Sequence, residues 1–201
     1  MRRYLALFVL VSALLASEAA AQATGMPSFN APYRAFTRSE IGVVFSFPNG
    51  GGTGIEGVYR MSSGKFDIGF RGGFLDVGGG ASTILLLGAE ARQRVLSHTT
   101  DFPLDGALIL GVGGWFSSGN SLLFAPVGLS LGRRIDLEGS QVSIIPYVQP
   151  TGTLVAGSGV SDFLFTLGLG ADFRLSPRFD ARISAGLGDV EGVSLSAVWV
   201  H

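Results

Sequence analysis

The sequence predicts an all-β protein, a single closed antiparallel up-and-down transmembrane β-barrel of about ten strands, with eight strands as the alternative. Three observations support this prediction. Apolar and polar residues alternate along most of the chain, as in FLFTLGLGADF at 163–173. Short turns rich in Gly, Ser, Asn and Asp separate the alternating runs. The mean hydropathy is +0.44 and only 14% of residues are charged, against about 25% in soluble domains. Yet beyond residue 15 no apolar run reaches the length of a spanning helix.

The first 23 residues have the pattern of a cleaved secretory signal peptide. Met1-Arg2-Arg3 is a basic start, and an apolar run follows at 4–15. This run is shorter than the roughly 20 residues that a transmembrane helix needs. Small residues then offer cleavage after Ala21 or after Ala23. We therefore predict a signal peptide at 1–23, with an N-terminal membrane anchor as the less favoured alternative.

The rest of the chain divides into a short leader and one domain. Residues 24–38 contain two prolines and show no hydrophobic periodicity, so we predict a leader without regular structure. Residues 39–201 form the predicted barrel, a chain length that suits one domain. The chain contains no Cys and carries a formal net charge of −1. These values exclude a disulfide framework and a basic surface for nucleic acid.

Ten alternating runs within 39–201 are predicted strands, because each is bounded by turn residues and no helical period with caps competes. They lie at 39–48, 53–61, 65–76, 82–96, 104–116, 121–133, 140–155, 161–175, 178–188 and 191–200.

The two faces of these runs differ in chemistry. One face is apolar, whereas the other is rich in Gly with a few charges, and the chain has a single Lys, Lys65. A soluble sandwich or a lipocalin-like soluble barrel, the main alternative folds, would turn the apolar face inward and carry many Lys and Glu outside. Small residues and paired charges suit a narrow lumen, so we predict that the apolar face meets lipid.

The segment LGLGADFRLSPRFDARIS at 167–184, with the signal peptide and the strand meander, resembles small bacterial outer-membrane barrels of the OmpA/OmpX-like superfamily. The resemblance implies a Gram-negative outer membrane, both chain termini and the leader in the periplasm, and insertion by the barrel-assembly machinery. Barrels of this group end in an aromatic residue; here Trp199 precedes a terminal His201, a departure from that pattern.

Charged residues on the Gly-rich face are the candidate functional residues, and Glu56 shares this face with them. The predicted lumen charge cluster comprises Arg60, Asp67, Arg71, Glu90, Arg92, Arg94, Asp172, Arg174, Asp180 and Arg182. Arg and carboxylate side chains are nearly balanced, which favours mutual pairing that fills a narrow barrel. The alternative is a charged constriction in a channel. The topology implied by the resemblance places most of these charges in the periplasmic half of the lumen.

The motifs that could carry catalysis lack the context that catalysis requires. Gly128-Leu129-Ser130-Leu131-Gly132 matches G-x-S-x-G, but it lies within an alternating run and no helix follows. His98 and His201 are the only histidines, and the inferred topology keeps both away from the outer rim. We predict no catalytic residue, no cofactor and no metal site. A lipid A-modifying enzyme remains the third and least favoured hypothesis.

The sequence therefore favours a non-enzymatic, monomeric outer-membrane barrel whose paired charges plug the lumen. Its expected role is in envelope integrity or at the cell surface, and its expected partners are outer-membrane lipid, lipopolysaccharide and the assembly machinery. A narrow passive channel or a small-solute-binding barrel is the alternative function.

Overall fold

A computed structural model describes residues 23–32, 38–79, 83–157 and 159–201. Except for Ala23, the predicted signal peptide lies outside the described residues. The strands run in chain order as β1 (Glu40–Pro48), β2 (Thr53–Ser63), β3 (Phe66–Asp76), β4 (Ile84–Leu96), β5 (Asp105–Ser117), β6 (Asn120–Gly132), β7 (Ile135–Asp136), β8 (Ser143–Gly157), β9 (Val160–Ser176), β10 (Phe179–Gly188) and β11 (Gly192–Val200). No helix among these described residues is long and apolar enough to cross a membrane.

Ten of these strands close into one antiparallel barrel. Each long strand pairs with its neighbours in the chain, β1 pairs with β11, and β6 pairs with β8 across the two-residue β7. The first strand meets the last in the register Glu40↔Val200 and Pro48↔Gly192. The predicted closed ten-stranded barrel is confirmed, and each of the ten predicted runs falls on one long strand.

Tight turns fix the register of several hairpins. Ser117 pairs with Asn120, and Gly119 between them has φ of 88°. Gly64 plays the same part in the turn between β2 and β3, with φ of 70°. Glycine adopts such positive φ values at no steric cost, so two-residue turns of this kind favour it.

The apolar face of the strands points outward. Every long strand exposes at least one large apolar side chain, as with Phe74, Val112 and Leu154, each about 60% exposed. Alternating residues point inward and are buried, for example Thr166 in β9 and Asp180 in β10. The orientation predicted from the sequence for 163–173 is therefore the one observed.

One end of the barrel carries the chain termini. We call this the terminal end; Glu40 begins β1 there and Val200 ends β11 beside it. The opposite, or far, end carries the short connections near residues 49–52, 118–119 and 189–191. This division locates the lumen side chains described next.

Residues 24–32 lie inside the barrel, which corrects the prediction that they form a periplasmic leader. They are enclosed by the strands together with Ala23, and Ala23, Thr24 and Met26 are fully buried. The sequence signal was absent because an irregular segment packed inside a barrel needs no periodicity. Residues 33–37 lie outside the described part of the chain. We call residues 23–32 the plug segment.

Candidate functional site in the barrel lumen

Arg60 is the hub of a buried ionic network near the terminal end. Its Nη1 donates to Asp67 Oδ1 at 2.6 Å, and its Nη2 donates to Glu90. Its Nε lies 3.5 Å from Glu40 Oε1. The guanidinium thus contacts carboxylates from three strands, since β1 supplies Glu40, β3 supplies Asp67 and β4 supplies Glu90.

Arg182 extends the network to the other side of the lumen. Its Nη1 and Nη2 donate to the two carboxylate oxygens of Glu40 at 3.0 and 2.6 Å. Its Nε lies 3.2 Å from Asp172 Oδ2, and its Nη2 lies 3.7 Å from Asp180 Oδ2. The bidentate contact is the geometry in which Arg binds carboxylate most strongly. Glu40 therefore joins the two arginines into one network.

Arg92 completes the chain of contacts. Its Nη2 lies 3.1 Å from Asp67 Oδ2, and its side chain is only 2% exposed. Buried charges are costly unless they are paired and hydrogen-bonded, and each of these guanidinium groups has at least one carboxylate partner. We call these eight residues the charge network: Glu40, Arg60, Asp67, Glu90, Arg92, Asp172, Asp180 and Arg182.

The remaining predicted cluster residues lie around this network. Arg71 contacts Glu56 instead, with 3.3 Å between Nε and Oε1, and this pair lies further from the terminal end. Arg94 and Arg174 occupy inward positions of β4 and β9 but are half-exposed. The structure therefore brings seven of the ten predicted residues into one buried network, and Glu40 connects its two halves by contacting Arg60 and Arg182.

Glu40 was missed by the sequence analysis. It is the first residue of β1, where one step of alternation does not define a face. Its acidic side chain at the start of a run otherwise containing no charge was the available signal. The plug segment was also missed, and it supplies the second half of the lumen site.

Wall side chains hydrogen-bond the backbone of the plug segment along its length. They donate to four of its carbonyl oxygens: Trp115 Nε1 to Thr24 at 2.6 Å, Ser184 Oγ to Pro27 at 3.2 Å, Ser130 Oγ to Asn30 at 2.8 Å, and Arg92 Nη1 to Ala31 at 3.0 Å. In the opposite sense, the Phe29 amide donates to Ser184 Oγ at 3.1 Å. These bonds satisfy polar backbone groups that have no strand partner.

Side chains of the plug segment fill specific spaces in the wall. Phe29 packs with Ile145 and Tyr147, and Met26 packs with Leu75 and Leu86. Polar contacts lie beside these anchors. Arg71 Nη2 donates to Ser28 Oγ at 2.8 Å, and Arg182 Nη1 donates to Asn30 Oδ1 at 3.4 Å.

Glycines of the lumen wall make room for the plug segment. A Cβ at Gly168 would lie 2.3 Å from Phe29 Cδ1, and one at Gly113 would lie 2.2 Å from the Ala23 carbonyl oxygen. Real Cβ atoms do not come this close to another heavy atom, so a larger residue would displace the segment. The Gly-rich face predicted for the lumen thus accommodates a second layer of chain.

Little space remains between the plug segment and the charge network. A cavity of about 20 Å³ lies between them, with Ser28, Arg60, Arg71 and Glu90 in its lining. A single water needs roughly 10–15 Å³ measured in this way. That cavity therefore has room for about one water molecule.

Ser130 and His98, the residues considered for catalysis, each have a hydrogen-bond partner in the structure. Ser130 lies within β6, is fully buried and donates to Asn30, so its hydroxyl is already engaged by the plug segment. His98 lies between β4 and β5 at the terminal end, with Nδ1 2.9 Å from Asp105 Oδ2. The His98 side chain is half-exposed.

The polarity of the molecule is that of a membrane barrel. A soluble barrel buries apolar side chains and exposes polar ones, whereas this barrel encloses a charge network and exposes an apolar surface on every long strand. A continuous apolar exterior of this kind is stable in lipid. Closure by β1 with β11 also leaves no open edge in hydrocarbon.

Comparisons with known proteins found similar solved structures. No protein-family model and no curated protein matches the chain. The β domain of the Bordetella autotransporter BrkA is similar, with 14% sequence identity, a TM-score of 0.49, and coverage of 81% of this chain and 96% of that chain. A de novo designed transmembrane β-barrel is similar with 15% identity, a TM-score of 0.36, and coverage of 82% and 95%.

Proposed function

We propose that this protein is an integral outer-membrane barrel that is closed in its resting form and serves a non-enzymatic role in envelope integrity or at the cell surface. One observation carries the proposal: the charge network and the plug segment fill the lumen together and are bonded to each other. Arg92 and Arg182 each contact at least one carboxylate of the charge network, and each also donates a hydrogen bond to the plug segment.

The proposed location rests on the exterior and on the sequence. An apolar surface on every long strand suits a bilayer, and a signal peptide at 1–23 would direct export. The resemblance of residues 167–184 to small outer-membrane barrels supports the outer membrane. The terminal end then faces the periplasm, and lipid, lipopolysaccharide and the assembly machinery are the expected partners of a monomer.

The surroundings of Ser130 support a non-enzymatic role. A nucleophile requires a base within hydrogen-bond reach and access to substrate. Ser130 is fully buried and donates its hydroxyl proton to a backbone carbonyl of the plug segment. The connections at the far end are short, which leaves little surface on which loops could form a catalytic or adhesive site.

Single-channel recording of the refolded mature protein in a planar bilayer tests the proposal. A mobility difference between boiled and unboiled samples on a gel would verify that the barrel had folded. We expect a folded protein without steady openings, because side chains and the plug segment occupy the lumen. Steady openings in the wild type would overturn the closed barrel. If Arg92→Ala or Asp172→Ala changed their selectivity, the alternative, a narrow passive channel, would replace it.

A further inference from the structure

The contacts of the plug segment resemble those of a bound peptide. Four of its carbonyl oxygens accept hydrogen bonds from wall side chains, and these bonds are distributed from Thr24 to Ala31. Bonds to carbonyl oxygens recognise a peptide backbone whatever its side chains are. The wall thus supplies donors to the segment's backbone along most of its length.

Two side-chain anchors add specificity to this backbone recognition. Phe29 occupies a slot beside Gly168, where a Cβ would lie 2.3 Å from its ring, and beside Gly186, where a Cβ would lie 3.3 Å from it. Met26 occupies a second space, enclosed by Leu75 and Leu86. The segment itself, ATGMPSFNAP, has no charged side chain. The lumen therefore fits an uncharged peptide with an aromatic anchor.

The plug segment runs lengthwise along the lumen. Gly25 lies beside Phe124 in the half of β6 nearer the far end, whereas Pro32 lies beside Gly132 at the terminal end. The segment thus descends along the lumen toward the start of β1. The signal-peptide prediction places cleavage after Ala21 or Ala23, which would leave a free amino end inside the barrel.

We infer that the lumen is a peptide-binding site whose resident ligand is the chain's own plug segment, and that it accepts a second peptide of the same chemistry when that segment is weakened. This inference rests on the proposed closed barrel. A tethered segment acts at an effective concentration in the mM range, so the wild-type site excludes a free peptide. Loss of the Phe29 anchor lowers this advantage by about 100-fold or more.

The experiment uses the full mature chain carrying Phe29→Ala, folded in lipid vesicles. The probe is a synthetic peptide ATGMPSFNAP with a fluorophore at its carboxyl end, which would remain at the mouth of the barrel. Fluorescence anisotropy reports binding, and planar-bilayer recording reports closure. The matched control peptide has Ala in place of Phe at its seventh position, and the matched control protein is the wild type.

We expect saturable one-to-one binding of the probe to the Phe29→Ala chain, at least about tenfold tighter than that of the control peptide. Openings in the Phe29→Ala chain should close when the probe is added, and the wild type should bind neither peptide. Equal binding of both peptides, or no binding to a folded Phe29→Ala chain, would overturn the inference. If Phe29→Ala does not fold, Met26→Ala provides the same test through the second anchor.

The two proposals fail separately in this design. A wild-type protein with steady openings contradicts the closed barrel, whatever the peptides do. A silent wild type with a variant that ignores the probe leaves the closed barrel standing and removes the peptide site. Binding by the variant together with a silent wild type supports both.

Discussion

Arg92 donates a 3.0 Å hydrogen bond from Nη1 to the carbonyl oxygen of Ala31, while its Nη2 lies 3.1 Å from Asp67 Oδ2. One side chain therefore belongs to the charge network and holds the plug segment at the same time. Because they share this residue, the charge network and the plug segment form one connected unit in the lumen.

The first prediction concerns the charge network. Arg182→Met should lower the free energy of unfolding by about 3–5 kcal/mol, because it leaves Glu40, Asp172 and Asp180 buried without their shared cation. Urea unfolding in lipid vesicles, followed by tryptophan fluorescence, measures this loss. Arg134→Met is the matched control, since its pair with Asp136 is largely exposed and should contribute about 1 kcal/mol or less. Equal losses for the two variants would contradict the network.

The second prediction concerns the position of the plug segment. Thr24→Cys combined with Gly88→Cys should form a disulfide in the folded barrel, because Thr24 Cγ2 lies 3.0 Å from a Cβ placed at Gly88. The chain contains no other cysteine that could compete. A shift between reduced and oxidised samples on a denaturing gel detects the bond. Thr24→Cys with Gly57→Cys should not cross-link, since Gly57 faces outward; a bond in that control pair would argue against the enclosed segment.

The third prediction concerns the Phe29 slot. Gly168→Ala places a Cβ 2.3 Å from Phe29 Cδ1, so the ring must move, at a cost of about 1–3 kcal/mol. A water-soluble maleimide should then label a cysteine introduced by Ser28→Cys faster when Gly168→Ala is present than when Gly168 is kept. Gly57→Ala, whose Cβ would meet nothing closer than 3.8 Å, should leave labelling unchanged. Slow labelling in both backgrounds would show that the slot does not hold the segment.

The fourth prediction concerns the lipid-facing surface. Val112 lies near the middle of β5 and is 60% exposed, so Val112→Arg should destabilise the barrel in vesicles by about 2–4 kcal/mol. Leu137→Arg, in the connection after β7 at the terminal end, is an equally large change outside the strands and should cost about 1 kcal/mol or less. Urea midpoints in vesicles compare the two. A harmless Val112→Arg would mean that β5 does not face lipid.

The sequence predicted the wall of the barrel better than its contents. Wall strands alternate because one face meets lipid and the other a crowded lumen. The predicted run 161–175 therefore lies within a few residues of β9 (Val160–Ser176). The charges could also be placed, since Asp172 and Arg182 stand in phase with inward positions. Their partners across the lumen depend on barrel closure, which no local pattern encodes.

The plug segment could not be predicted, because its conformation is determined by the wall. Two prolines and the absence of periodicity indicate an irregular segment without saying where it lies. Inward glycines such as Gly113 and Gly168 were the indirect signal, since they leave more room than paired charges require. Glu40 was hidden for a different reason, at the very start of its strand.

The seam between β1 and β11 has a consequence for the order of biogenesis. The ring is closed by its last-synthesised strand, with Val200 opposite Glu40, yet it surrounds residues that were synthesised before the first strand. Those earliest residues must either be held in place while the ring is still open or thread through one mouth afterwards. The lumen of the finished barrel is thus filled by residues that precede its first strand, and the order of filling and closure belongs to its folding pathway.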